Sequence, residues 1–219
     1  MIDPPPDRPP ETRGERWTYA IFVLLVFGLF AAEMIRDYRP VKMSMLFITL
    51  AWVPLLAIHE GGHALMARLL GWRVLAVVIG FGRTLASFRV GETRVELRAL
   101  PLEGFTRPVP RGDSWPRLKS FLIYAAGALA ELVVLGLLTL ILGFERMTTR
   151  TDDLYIIAAQ SFGAAALLGV TINVIPHTAE TSHGRTANDG MGMILSLRAP
   201  REHFADLAED DDGSDDEDR

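Results

Sequence analysis

The sequence predicts an α-helical multi-pass membrane protein with about four transmembrane helices. A small β-hairpin is expected between the second and third helices, and both termini are expected to be disordered. Two observations lead to this fold class. Apolar residues make up 49% of the 219-residue chain. They are concentrated in runs of about 20 residues, which is the helical length that crosses a bilayer. This length of chain suits one domain.

Four apolar runs are the candidate transmembrane helices. They are nearly free of charged side chains, and Trp17 stands at the entry to the first run, where an interfacial aromatic anchor is expected. The predicted spans cover residues 17–35, 43–70, 121–144 and 154–175.

The segment between the second and third spans has the pattern of strands. Residues 74–79 form a β-branched apolar run, and residues 88–97 alternate between apolar and charged side chains. Gly91-Glu92 separates the two alternating halves, as a turn would. We therefore expect a short hairpin or sheet within residues 73–107.

The two ends of the chain differ in composition from the apolar middle. Residues 1–16 are rich in proline, and residues 206–219 contain nine acidic side chains with Leu207 as the only large apolar one. Such segments cannot bury a core. The sequence predicts a disordered lead over 1–16, a membrane domain over 17–200 and a disordered acidic tail over 201–219.

The loop charges predict the orientation in the membrane. Positive side chains favour the cytoplasmic side, and the loop between the second and third spans is the richest in them. We expect a multi-pass protein of the cell membrane with both termini in the cytoplasm. Twenty arginines against two lysines suggest a bacterial source. The basic residues of that loop are Arg73, Arg83, Arg89, Arg94, Arg98, Arg107, Arg111, Arg117 and Lys119.

Composition also limits the chemistry and the partners. The chain has no cysteine, which excludes disulfides, iron–sulfur clusters and thiolate zinc sites. Any zinc must then be held by His, Asp or Glu. No basic patch with interleaved aromatics indicates nucleic acid. The expected partners are the lipid bilayer and a membrane-protein substrate.

The second span contains the motif that carries chemistry, His59-Glu60-Gly61-Gly62-His63. Histidines at i and i+4 lie on one face of a helix, so both imidazoles can reach one Zn²⁺. The intervening Glu60 can then take a proton from water at the metal. Polar groups inside an apolar span are costly and indicate function more than packing.

A catalytic zinc takes three protein ligands, and the residues alone leave the third one open. Glu131 is the one carboxylate within the third span, and Asp189 comes soon after the fourth. The candidates are Glu131, His177, Glu180, His183 and Asp189.

Four motifs in order resemble those of the site-2 protease family of intramembrane metalloproteases. The zinc motif beginning at His59 is followed by a glycine-aromatic-glycine loop and by a proline-leucine strand that ends in glycine and an aromatic. An Asn-x-x-Pro and Asp-Gly pair comes last. In this chain the three later motifs are Gly80-Phe81-Gly82, residues 100–105, and residues 173–176 with Asp189-Gly190.

The resemblance implies roles for individual residues. Asp189 would complete the coordination of one Zn²⁺, and Asn173 would contact the substrate or stabilise the oxyanion. Gly104 would lie beside the active site, where an unwound substrate could pair with a strand edge. Glu131 stands where the family often has Asn. We expect it to take a polar, substrate-facing role or to sit protonated against another helix.

These observations predict an intramembrane zinc endopeptidase with Glu60 as general base and acid. It would hydrolyse peptide bonds in or near transmembrane segments. Two alternatives remain at this stage. One is a non-catalytic scaffold of the same fold, which the unusual Glu131 would suit. The other is an ion or proton transporter that uses His59, Glu60 and Glu131 as a relay.

Overall fold

The computed structural model describes residues 13–112, 114–181 and 184–212. These residues form helices, two strand pairs and a short 3₁₀ helix at Pro40–Met43. The helices are α1 (Arg13–Arg36), α2 (Ser44–Leu69), α3 (Pro116–Leu142), α4 (Phe144–Thr148), α5 (Leu154–Val174), α6 (Asp189–Arg198) and α7 (Arg201–Asp212). The strands are β1 (Arg73–Val90), β2 (Thr93–Val109), β3 (Thr178–Thr181) and β4 (Gly184–Ala187).

Three helical segments within the described residues are long and apolar enough to cross a membrane. They confirm the second, third and fourth predicted spans. A helix satisfies its backbone hydrogen bonds internally, which lipid requires of any spanning segment. The three segments are Pro40–Leu69, Pro116–Leu142 and Leu154–Val174.

Helix α1 contains the first predicted span, and it begins at Arg13, inside the lead that was expected to be disordered. The side chains of residues 13–20, 22 and 23 lie outside the described part of the chain. The count of four spans therefore stays a prediction, as does the disorder of residues 1–12, which the structure does not describe.

Helix α2 packs closely against α3 and α5. Gly62 allows the close approach to α3, because a Cβ at this position would lie 2.5 Å from the carbonyl oxygen of Ala126. On the upstream half of α2, a buried cluster joins the helix to α5. Its members are Ala51, Leu55, Ala165 and Ala166.

The predicted hairpin is confirmed and is longer than expected. Strands β1 and β2 pair in antiparallel fashion from Val90↔Thr93 at the turn to Arg73↔Val109 at the open end. Strand β1 bends at Gly80 and Gly82, whose φ angles of 94° and 80° are readily adopted only by glycine.

Because both strands bend, one segment of β1 has two neighbours. Ile79 pairs with Leu97 on one side and with Gly104 on the other. Residues 104–108 of β2 therefore pair with β1 along one edge, and within the described residues no strand pairs with the opposite edge. That opposite edge lies near the motif of α2, since Thr106 bonds to Glu60.

The pair β3–β4 follows α5 and was not predicted. Its register runs from Thr178↔Ala187 to Thr181↔Gly184. The connecting residues 182–183 lie outside the described part of the chain. Strands of four mainly polar residues carry no apolar alternation, which is why the sequence pattern does not reveal them.

Helix α7 departs from the predicted disordered tail over 201–219. It continues to Asp212, and Phe204 is only 5% exposed. The ring of Phe204 packs against that of Trp72, with centroids 6.4 Å apart, in a cluster that includes Ala67 and Ile123. The acidic composition did not predict this helix, which packs on the protein through the ring of Phe204. Residues 213–219 lie outside the described part.

The neighbouring glycines of α2 offer a matched test of the α2–α3 contact. Gly62→Ala should lower the free energy of unfolding by about 1 to 3 kcal/mol, because the added methyl group overpacks against Ala126 and Ala130. Gly61→Ala should be neutral or stabilising by up to about 1 kcal/mol, since nothing lies within 4 Å of its Cβ position. Thermal unfolding in detergent measures both. Equal effects of the two changes would contradict the packing described here.

Candidate metal centre

The two histidines of α2 lie one turn apart and are buried, at 5% and 7% exposure. Their ring centroids are 4.7 Å apart. Nε2 of His59 lies 2.7 Å from Oδ2 of Asp189, and Nε2 of His63 lies 3.4 Å from the same oxygen. The structure thus brings together the three residues that the sequence analysis proposed as ligands.

The other nitrogen of each ring is held by α3. Nδ1 of His63 lies 2.6 Å from the carbonyl oxygen of Ile123, and Nδ1 of His59 lies 2.7 Å from Oε1 of Glu131. A carbonyl oxygen can only accept a hydrogen bond, so Nδ1 of His63 carries the proton. Its Nε2 then presents a lone pair toward Asp189, as a metal ligand must.

Gly127 of α3 makes room for the imidazoles. A Cβ at this position would lie 2.5 Å from Nε2 of His59 and 2.5 Å from Nε2 of His63. No side chain fits there without displacing both ligand atoms. The glycine therefore keeps open the space in which the two nitrogens face Asp189.

Asp189 is placed by the start of α6. Asn188 caps this helix, and its Oδ1 accepts hydrogen bonds from the backbone N–H groups of Met191 and His177. The Asn188 amide nitrogen also lies within 3.0 Å of three carbonyl oxygens near the end of α5, those of Ile172, Asn173 and Ile175. The sequence analysis missed this role, although Asn before a helix is a standard capping signal.

The charge of Asp189 is stabilised by its neighbours. Burial alone would raise the pKa of this carboxyl, but in the metal-free site His59 and His63, with both rings also protonated on Nε2, outweigh burial and lower its pKa to about 2. A bound metal would take the place of those Nε2 protons. The carboxylate is therefore ionised at neutral pH, which is the form that binds a cation.

The donor set fits a single zinc ion. One ligand atom from each of His59, His63 and Asp189 lies within 4.8 Å of the other two. Imidazole nitrogen and carboxylate oxygen are ligands that Zn²⁺ accepts, and three protein ligands leave a fourth position open. Within the described residues, no other group of His, Asp and Glu meets this geometry.

Glu60 lies beside the histidines and is buried. Its Oε2 accepts a hydrogen bond of 2.8 Å from the hydroxyl of Thr106 on β2. Gly104 of the same strand lets the carboxylate approach, because a Cβ there would lie 2.9 Å from Oε1 of Glu60. Strand β2 thus fixes one carboxylate oxygen and leaves space around the other.

A cavity of about 630 Å³ opens beside this group. Glu60, His63 and Asp189 lie in its wall, together with the part of β2 around Gly104 and with Phe204 of α7. A cavity of this size is in the range of ligand sites in proteins. It gives the buried carboxylates a route to ligands from outside.

The remaining candidates lie outside the ligand group. Glu131 is only 3% exposed and bonds to His59, so it does not line the cavity in a substrate-facing role. Asn173 is half-buried and not in the cavity wall. His177 bonds to Asn188. His183 and the side chain of Glu180 lie outside the described part of the chain.

Comparison with known proteins gives the family. The sequence model of peptidase family M50 matches residues 47–206, which is most of the chain and includes every residue of the ligand group. The chain belongs to peptidase family M50. The resemblance to site-2 proteases is therefore confirmed. In this M50 chain the motif that begins at His59 and the Asp189-Gly190 pair supply the ligand group.

Two curated relatives illustrate the match. The zinc metalloprotease Rip1 of Mycobacterium tuberculosis is 43% identical over 67 residues, which are 28% of this chain and 17% of Rip1. The membrane metalloprotease ARASP of Arabidopsis thaliana chloroplasts is 33% identical over 92 residues, 36% of this chain and 21% of ARASP. The chain thus spans about a fifth of the length of these relatives.

Gly127 provides a test of the metal centre. Gly127→Ala should reduce zinc binding to a small fraction of the wild-type stoichiometry, because its methyl group would occupy the space of both Nε2 atoms. Gly136→Ala, the same change in the same helix, should leave zinc unchanged, since nothing lies within 4 Å of its Cβ position. Zinc per purified protein is measured by atomic emission. Full zinc content in the Gly127 variant would contradict the arrangement.

Proposed function

We propose that this M50 chain is an intramembrane zinc endopeptidase that cleaves peptide bonds in or near transmembrane segments of membrane-protein substrates. The observation that carries the proposal is the buried convergence of His59, His63 and Asp189, with Glu60 beside them. The histidines belong to a helix that is long and apolar enough to span a membrane. One relative is named a zinc metalloprotease and another a membrane metalloprotease, which supports the chemistry.

The proposed roles follow from the contacts. His59, His63 and Asp189 would hold one Zn²⁺. When bound, zinc supplies Lewis acidity that polarises the scissile carbonyl and lets water give up its proton near neutral pH. Because Thr106 occupies Oε2 of Glu60, Oε1 is the oxygen that would accept this proton. Glu60 would then deliver the proton to the leaving amine nitrogen.

The part of β2 that borders the cavity suits an extended substrate. A transmembrane helix protects its peptide bonds by internal hydrogen bonding, so the substrate must unwind before water can attack. An unwound segment could lie extended along β2 at Gly104, which borders the cavity next to Glu60. Gly104 would let the backbone of such a strand come close to the carboxylate.

The role of Glu60 is tested by Glu60→Gln in protein reconstituted in vesicles with single-span membrane proteins as candidate substrates. The amide keeps the size of the side chain but cannot accept the proton, so cleavage should fall by about a hundredfold to ten-thousandfold. Zinc content should stay at the wild-type level. Glu145→Gln, the same change on the exposed helix α4, should cleave normally. Full activity of Glu60→Gln would refute the mechanism.

We also propose a cell-membrane location with four spans, both termini and the α2–α3 loop in the cytoplasm. The chain has no cysteine, so single-cysteine variants report orientation cleanly. Ser114→Cys, in the exposed α2–α3 loop, should be protected from an impermeant thiol reagent in intact cells and labelled in inverted vesicles. Thr149→Cys, between α4 and α5, should show the reverse. The same labelling pattern for both variants would contradict this topology.

A further inference from the structure

We infer that Glu131 is a positioning residue for the metal centre, which orients His59 so that its Nε2 can bind zinc. The inference rests on the proposed function, because it concerns the same metal centre. It assigns to Glu131 a task different from substrate contact. The carboxylate would act on the far nitrogen of the ring and would not itself touch the metal or the substrate.

The first support is the layout of α3. Ile123, Gly127 and Glu131 are spaced four residues apart, which puts them on one face of the helix. The backbone oxygen of Ile123 holds His63, Gly127 leaves space for both rings, and Glu131 holds His59. One face of α3 therefore holds both imidazoles at Nδ1, the ring nitrogen that would not bind zinc.

The second support is the chemistry of the His59 contact. Oε1 of Glu131 lies 2.7 Å from Nδ1 of His59, and both side chains are less than 8% exposed. When Nδ1 donates to this oxygen, Nε2 is the ring nitrogen that is left to bind a metal, on the side that faces Asp189. A carboxylate partner also makes the imidazole a better electron donor to a metal. The other histidine obtains its orientation from a backbone carbonyl.

The third support is the burial of Glu131 itself. Its Oε2 has no hydrogen-bond partner among the described residues. A carboxylate buried with a single partner contributes little to stability, and an apolar residue of similar size is often equally stable or more so. Gly169 of α5 leaves room for this oxygen, since a Cβ there would lie 2.9 Å from it. The surroundings accommodate the carboxylate but stabilise it only through His59.

The test compares two substitutions of similar size. Glu131→Leu keeps the volume but cannot accept a hydrogen bond, whereas Glu131→Gln still offers an amide oxygen to Nδ1 of His59. Zinc affinity is measured by chelator competition on the full chain in detergent. We expect Glu131→Leu to weaken zinc binding by about 10- to 100-fold and Glu131→Gln to recover most of this loss. The melting temperature of the zinc-free Glu131→Leu variant should not fall.

Three outcomes would overturn the inference. Wild-type zinc affinity in Glu131→Leu would show that His59 needs no partner. Equal weakening in the Leu and Gln variants would show that hydrogen-bond acceptance is not the cause. A fall in the zinc-free melting temperature without a change in zinc affinity would assign Glu131 a merely structural role, which also contradicts the inference.

A second pair of variants serves if Glu131→Leu does not fold. Gly169→Ala pushes a methyl group against Oε2 of Glu131 and should weaken zinc binding. Gly163→Ala makes the same change in the same helix, but its methyl group meets only the flexible ends of Leu135 and Met147. It should bind zinc normally. Unchanged zinc affinity in the Gly169 variant would count against the inference.

Failure of this inference can be separated from failure of the proposed function. A wild-type protein that binds no zinc, or that retains zinc after His63→Ala, would contradict the proposed metal centre as a whole. A wild-type protein that binds zinc and cleaves its substrate, with Glu131→Leu behaving identically, would contradict only the role of Glu131.

Discussion

The contact between α2 and α3 determines the rest of the site. Gly62 has no side chain, so α2 approaches α3 closely where the two helices cross. On the facing side of α3, Ile123, Gly127 and Glu131 contact the two histidines. Each imidazole is thereby fixed at its far nitrogen. Ligands oriented in advance lose little freedom when a metal binds, which is why precise helix packing is required at this point.

Polar contacts position Asp189 and strand β2 at the site. Asn188 forms hydrogen bonds with the end of α5 and with the start of α6, and this positions the neighbouring Asp189 beside the histidines. Thr106 ties β2 to Glu60. Residues far apart in sequence thus meet at one site, because α2 supplies His59, Glu60 and His63 and α6 supplies Asp189. The metal centre therefore forms only when the chain is folded, although the motif from His59 to His63 is local in the sequence.

Local patterns were sufficient for much of the fold. Apolar length predicted three of the helices, alternation predicted the β1–β2 hairpin, and the i, i+4 spacing of His59 and His63 marked the site. Asp189 could be chosen only through family resemblance. The bond between Glu131 and His59 joins side chains 72 positions apart. The packing of α7 centres on one buried ring, that of Phe204. Neither the Glu131–His59 bond nor this ring contact has a periodic signal in the sequence.

The position of α7 has a practical consequence for work with this protein. The helix begins three residues before Phe204 and forms part of the cavity wall next to Glu60. Helix α7 is therefore part of the site, and a truncation that removes Phe204 would take away one side of the cavity in which a ligand would be bound.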